Sequence, residues 1–241
     1  FKSLGYLNMI KTFLNLGMQP LANRYLNKPK ILSVKKGQLY IPIRGKNFDG
    51  HDFINDAFKK GAKASLVEIN KKKDLLGKDK LIYVKDTFKS LIELALYSRN
   101  RSKKLITICI TGSSGKTTLK EWISLIFKSF TATYSTIGNL NNEIGLPLSL
   151  ANMPKNTKLC ILELGMNSKG EIKKLSNIAK PDIAIITNIG SAHSGNFKKL
   201  IDIAKEKSDI FCNLKKKGSI IIPGNTKYYN LIFSKAKRKT N

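Results

Sequence analysis

The stretch Leu105-Ile106-Thr107-Ile108-Cys109-Ile110-Thr111-Gly112-Ser113-Ser114-Gly115-Lys116-Thr117-Thr118 decides the fold. Its first half is an apolar run of the kind found in strands buried on both faces. Its second half is short, polar and glycine-bearing, and residues 117–130 read as a helix. Strand, glycine loop and helix together cradle phosphate. Glycines let backbone N–H groups turn inward, and the helix start adds partial positive charge. A lysine closing the loop reaches the β- and γ-phosphates, and the hydroxyl after it ligates Mg²⁺. Gly112, Ser113, Ser114, Gly115, Lys116, Thr117 and Thr118 are therefore the expected ATP contacts. An ordinary Gly/Ser turn would explain the loop alone, but less readily the strand before it and the helix after it.

Outward from this loop, strands are expected at 132–135, 159–164, 183–187 and 219–222, and helices at 172–179, 200–214 and 228–237. Alternating helices and wholly apolar strands predict a parallel sheet covered on both sides. In such sheets ligands sit at the C-terminal ends of the strands. Upstream, 31–43 reads as two short strands around a turn at Lys36-Gly37. A helix over 52–60 ends at Gly61, strands follow at 64–67 and 81–84, and a second helix covers 87–98. The polar stretch 100–104 is the expected boundary. The fold class is thus α/β: a small N-terminal α/β domain over 1–102, then a phosphate-loop domain with a mostly parallel sheet over 103–241.

The chain has 241 residues, enough for one or two domains with a real core. Cys109, Cys160 and Cys212 are odd in number and widely spaced, which suits buried thiols in a reducing compartment better than a disulfide or zinc framework. No apolar run approaches a membrane span, and the first twenty residues do not form a signal peptide. The formal charge of +28 raises nucleic acid as a partner. Against that, only Arg24, Arg44, Arg99, Arg101 and Arg238 are arginines, and the lysines are spread along the whole chain. Basic and aromatic residues are not interleaved as in single-strand binders. The charge points instead to an anionic ligand such as a nucleotide, with no nucleic acid and no membrane insertion.

Glu163 is a lone carboxylate near the end of the apolar run Leu159-Cys160-Ile161-Leu162-Glu163-Leu164-Gly165. Buried bare it would be costly, so it is either ion-paired with a lysine or bound to metal facing the phosphate loop.

The loop Gly112-x-x-Gly115-Lys116-Thr117 is shorter than the common G-x-x-x-x-G-K-[ST] form, and in this it resembles the Mur ligase family and its relative folylpolyglutamate synthase. Gly138-Asn139-Leu140-Asn141-Asn142-Glu143-Ile144-Gly145 and Phe48-Asp49-Gly50-His51 resemble the MurF type within that family, from about Ser33 to Lys237. The resemblance implies a UDP-sugar-binding N-terminal domain and an ATP-binding central domain. It implies catalytic roles for Lys116, Glu163, His193 and Lys207, and substrate contacts at Asn139, Asn141, Asn142 and Asn188. Metal ligands by the same resemblance are Thr117, Glu163, His193 and Lys207, the last as a carbamate with Lys205 as the competing register. Composition alone would make either lysine part of a solvated helix face, and His51 a polar residue between loop and helix. The chain departs from the family at Lys30-Ile31-Leu32, where Asp-Ser-Arg or Asp-Thr-Arg is usual, at Ser194-Gly195, and near Pro223-Gly224-Asn225.

The activity so implied is ATP-dependent amide-bond formation in peptidoglycan precursor synthesis. D-alanyl-D-alanine joins UDP-N-acetylmuramoyl-tripeptide through an acyl phosphate, with ATP and Mg²⁺, in a cytoplasmic monomer. The family's C-terminal domain is not found in the 241 residues, so the chain alone is expected to be inactive. The alternatives are an inactive nucleotide-binding remnant and another Mur or folylpolyglutamate-type ligase.

Overall fold

The computed structural model describes residues 15, 18–23, 34–45, 48–71, 75–191, 196–197 and 199–240. They form two compact units, Phe1–Asn100 with Leu150–Asn152 and Arg101–Ser149 with Met153–Asn241.

In the first unit, strands β1 (Pro20–Asn23), β2 (Leu39–Pro42), β3 (Ala64–Glu68) and β4 (Leu81–Val84) lie in the order β1-β2-β3-β4, all parallel. Helix α1 (Ile54–Lys59) follows a 3-10 turn at Gly50–Phe53, and α2 (Thr87–Arg101) follows β4. Tyr40, Ile54, Ala57, Ala62, Val67 and Leu81 close one core cluster. Of the two strands expected over 31–43, the second is β2, and the first falls mostly on residues 31–33, outside the described residues. Lys35 donates its N–H to Gln38 Oε1 at 2.8 Å, closing the turn before β2. The neighbour of β2 is β1, an unexpected strand of little β-propensity. It begins with proline, which an edge strand tolerates at its first residue.

In the second unit, β5 (Ile106–Thr111) lies between β7 (Leu159–Glu163) and β8 (Ile183–Ile186). β6 (Thr133–Ser135) and β9 (Ser219–Ile221) are the edges, giving the order β6-β7-β5-β8-β9, again all parallel. Helix α3 (Lys116–Lys128) places Leu119 and Ile123 on Ile108, Ile110, Leu159, Ile161 and Ile185. Alternation sends Cys109, Cys160 and Ala184 to the opposite face, where they are buried. None of the three cysteines is in a disulfide; Cys109 and Cys160 are buried and Cys212 is half-buried.

Helix α4 (Gly145–Ala151) was not expected, because glycine and Pro147 stand where a helix would start. Asn142 Oδ1 accepts the N–H groups of Ile144 at 3.2 Å and Gly145 at 2.9 Å. Proline is harmless in a first turn, whose N–H groups have no helical acceptor. After α5 (Glu171–Ala179), the single helix expected over 200–214 divides into α6 (Leu200–Lys207) and a 3-10 turn at Ser208–Asn213. Ser208 Oγ donates to the Ala204 carbonyl at 2.6 Å, a back-bond that competes with the α ladder. Helix α7 (Tyr229–Thr240) follows β9. Among the described residues no helix is long and apolar enough to cross a membrane.

Candidate active site

The phosphate loop leaves the C-terminal end of β5, the central strand, where the strand order reverses direction. Gly115 has φ 77° at the head of α3. A Cβ on Gly112 would lie 1.8 Å from Thr187 Oγ1, so only glycine fits there. Thr187 Oγ1 donates to the Ser114 carbonyl at 2.6 Å. Asn188 Oδ1 accepts from the N–H groups of Ser113 at 3.0 Å and Ser114 at 2.9 Å, and Asn188 Nδ2 donates to Ser114 Oγ. The residues after β8 therefore clasp the loop. In this arrangement Asn188 engages the loop itself, and the Ser113 and Ser114 amides, read in the sequence as phosphate donors, already have an acceptor.

Lys116 Nζ folds back onto the Gly112 carbonyl at 2.8 Å. Burial lowers its pKa, and the negative charge of Glu163 opposes that shift. Thr117 Oγ1 donates to Glu163 Oε2 at 2.8 Å, and Asn141 Nδ2 donates to Oε1 at 2.8 Å. Glu163 is 3% exposed, and among the described residues it makes no ion pair with a lysine. The N–H groups of Lys116, Thr117 and Thr118 open α3 and lack intrahelical acceptors.

Lys207, at the end of α6, is 1% exposed, whereas Lys205 is exposed. Burial and the like charge of Lys116 bring the Lys207 pKa down to about 7, against the opposing pull of Glu206. Glu206 accepts the N–H groups of Gly170 at 2.8 Å and Ile172 at 3.0 Å, which fixes α6 to the head of α5. Of the expected metal ligands that are described, Glu163 and Lys207 are the buried ones. His193 lies outside the described residues. Asn139 is exposed, and Asn142 is occupied in capping α4. Lys120, fully buried on α3, escaped the sequence reading; among 39 lysines, only its place beside the core-facing Leu119 and Ile123 hinted at burial.

Among the described residues no group of three or more His, Cys, Asp or Glu could hold a metal by itself. One hydroxyl and one carboxylate, 2.8 Å apart at the head of a phosphate loop, fit Mg²⁺. That ion takes oxygen ligands and keeps water and phosphate in most of its octahedron.

The first unit carries a polar cluster of its own. Arg44 pairs with Glu68, and Lys71 pairs with Asp49 at 2.8 Å. The His51 ring is 3% exposed; its Nε2 accepts the Glu68 N–H at 3.2 Å, so Nδ1 carries the proton facing Asp49 Oδ1 at 2.6 Å. Burial works against the Asp49 carboxylate, yet Lys71 and His51 hold it well below the usual range.

The Mur ligase middle domain matches residues 110–241, and the Mur ligase family catalytic domain matches residues 32–99. The UDP-N-acetylmuramoyl-tripeptide--D-alanyl-D-alanine ligase of Rickettsia prowazekii (strain Madrid E) is 44% identical over 201 residues, covering 83% of this chain and 44% of that protein. The ligase of the same name from Bacillus subtilis (strain 168) is 39% identical over 193 residues, 80% of this chain and 42% of that one. MurF from Acinetobacter baumannii superposes with a TM-score of 0.79 at 31% identity, covering 91% of this chain and 46% of that structure. MurF ligase from Thermotoga maritima, solved in complex with ADP, gives 0.75 at 30% identity, covering 93% and 49%. The chain spans less than half the length of these relatives. The middle-domain match extends over more than half of its residues, and the chain belongs to the Mur ligase family.

Proposed function

We propose that the chain is the nucleotide- and UDP-sugar-binding part of a MurF-type ligase, a cytoplasmic monomer. The reaction joins D-alanyl-D-alanine to UDP-N-acetylmuramoyl-tripeptide at the expense of ATP. Residues 1–102 would hold the UDP-sugar and 103–241 the ATP. The observation that carries this reading is the Thr117–Glu163 contact beside Lys116 at the head of α3. On arrival of a polyphosphate, Lys116 exchanges the Gly112 carbonyl for phosphate oxygen, and the α3 N–H groups complete the cradle. Thr117 and Glu163 would hold Mg²⁺, which neutralises charge on the transferred phosphoryl group. Transfer to the tripeptide carboxylate makes an acyl phosphate. Attack by the dipeptide amine on its carbonyl carbon forms the amide and expels phosphate. The chain's own part is positioning and charge stabilisation.

Lys207 suits the second metal position. With a pKa near 7, a large share of its amines are neutral at physiological pH, and a neutral amine adds to carbon dioxide to give a carbamate and a proton. The carbamate oxygens, with His193, would form that position. Asn139, Asn141 and Asn188 remain candidates for substrate contact as ligands enter.

The test is a thermal shift. Mg-ADP and Mg-ATP should raise the midpoint of the chain, since a ligand bound only by the folded state stabilises it. Lys116→Ala should remove most of the shift, and equal shifts in both proteins would overturn the assignment.

A further inference from the structure

Lys120 has no exposed surface although it carries a cation. Its ammonium donates to the Thr136 carbonyl at 2.7 Å and the Gly138 carbonyl at 3.5 Å, and lies 3.0 Å from Glu121 Oε1. Three donors thus meet three acceptors. Neighbouring positions Leu119, Ile123 and Ser124 face inward, so an apolar side chain at 120 would fill the space without burying charge. Packing alone gives no reason for a lysine there.

What the ammonium grips is the crossing from β6 to Asn141. Thr136 donates its N–H to the Ile161 carbonyl at 3.0 Å and accepts the Glu163 N–H on Oγ1 at 3.3 Å. Gly138 then turns with φ 57°. Asn141 returns to the end of β7, where its carbonyl accepts the Gly165 N–H at 2.7 Å and its amide meets Glu163. The carbonyls of Thr136 and Gly138 lie beyond the end of β6, and Lys120 supplies donors that no strand supplies there.

We propose that Lys120 is a positioning residue for the metal–phosphate site: by fixing the crossing over 136–141 it aims Asn141 at Glu163 Oε1 and leaves Oε2 turned to Thr117. The inference rests on the reading that Thr117 and Glu163 receive Mg-nucleotide. Lys120 is buried one turn beyond the loop and acts through Asn141, without contact with the ligand.

The test is calorimetric titration of the chain with ADP, with and without Mg²⁺. In Lys120→Met the gain in affinity that Mg²⁺ confers should fall about tenfold, the loss typical when a residue orienting a metal ligand is removed. Mg-free affinity, set by the phosphate loop, should hold. Asn141→Ala should show the same loss, and the double variant no more than either single one. Lys120→Arg, which keeps charge and donors, should retain the gain. Should Lys120→Met not fold, Lys120→Gln carries the same expectation, since it keeps a donor but not the reach. A lowered thermal midpoint with an unchanged Mg²⁺ gain, or additive losses in the double variant, would overturn the proposal. If the unaltered chain shows no Mg²⁺ gain at all, the reading of Thr117 and Glu163 is what fails.

Discussion

The two units build parallel sheets of similar make, yet they use the C-terminal strand ends differently. In the first, the strands follow in sequence order from edge to edge. Its polar groups, Arg44, Asp49, His51, Glu68 and Lys71, answer one another with ion pairs and hydrogen bonds. In the second, the chain leaves β5 for the edge strand β6, returns inward to β7, and then passes β5 to β8 and β9, leaving a crevice beside β5 where the two directions part. There Lys116 and Lys207 lie near each other, and neither makes an ion pair with a described carboxylate. A self-satisfied cluster stabilises a fold, whereas lysines without a carboxylate partner in a crevice leave their bonding to groups from outside.

The largest expected effect breaks the closed cluster. Glu68→Ala leaves the buried Thr87 N–H without its acceptor and the exposed Arg44 with Asp49 alone. Stability should fall by up to about 3 kcal/mol in urea unfolding, the upper end for a buried donor left unmet, with the nucleotide shift intact. A loss of nucleotide binding as large as the loss of stability would erase the distinction between the clusters.

Glu163→Gln should do the reverse. The variant keeps its stability without ligand but loses the Mg-dependent part of the nucleotide stabilisation, which amounts to about 2.7 kcal/mol in total at a hundredfold excess over Kd. A large loss in the unliganded protein with Mg²⁺ dependence intact would mark Glu163 as a structural carboxylate like Glu68.

The open cluster also has a pH signature. Burial holds Lys207 near 7 in the folded chain, against 10.5 for an ordinary lysine. Below pH 7 both folded and unfolded chains carry the proton, and the burial penalty is felt in full. Between about 7 and 10.5 the unfolded chain binds more protons, so stability rises with pH. At its steepest the rise approaches about 1.4 kcal/mol per pH unit, read as the difference between the unaltered chain and Lys207→Met in buffers free of carbon dioxide. Parallel curves would show that the lysine is paired after all.

The smallest effect separates neighbours. Asn142→Ala removes the cap of α4 and should lower stability by about 1 kcal/mol. Nucleotide affinity should stay as it was, in contrast to Asn141→Ala one residue earlier.

The second unit was readable because its strands are buried on both faces, and unbroken apolar runs announce that directly. Glu163 stood out for the same reason, as a lone charge in such a run. The choice of Lys207 over Lys205 came from resemblance, and burial now separates the two. What stayed hidden depends on partners distant in sequence. β1 is a strand only because β2 lies beside it. Asn188 grips a loop seventy-four residues away, and Lys120 is distinguished from the other lysines only by the carbonyls brought over it. The end of α6 turns on one serine hydroxyl choosing a carbonyl within its own helix, which helical periodicity does not register.

The Asn188 clasp bears on how fast the site fills. A loop held by a side chain has already lost its conformational freedom when the chain folds. An incoming polyphosphate then exchanges acceptors and orders little that was loose. Association should therefore proceed in one step, its observed rate climbing linearly with nucleotide concentration without a plateau. Changes to the clasp should register mainly in how long the nucleotide stays.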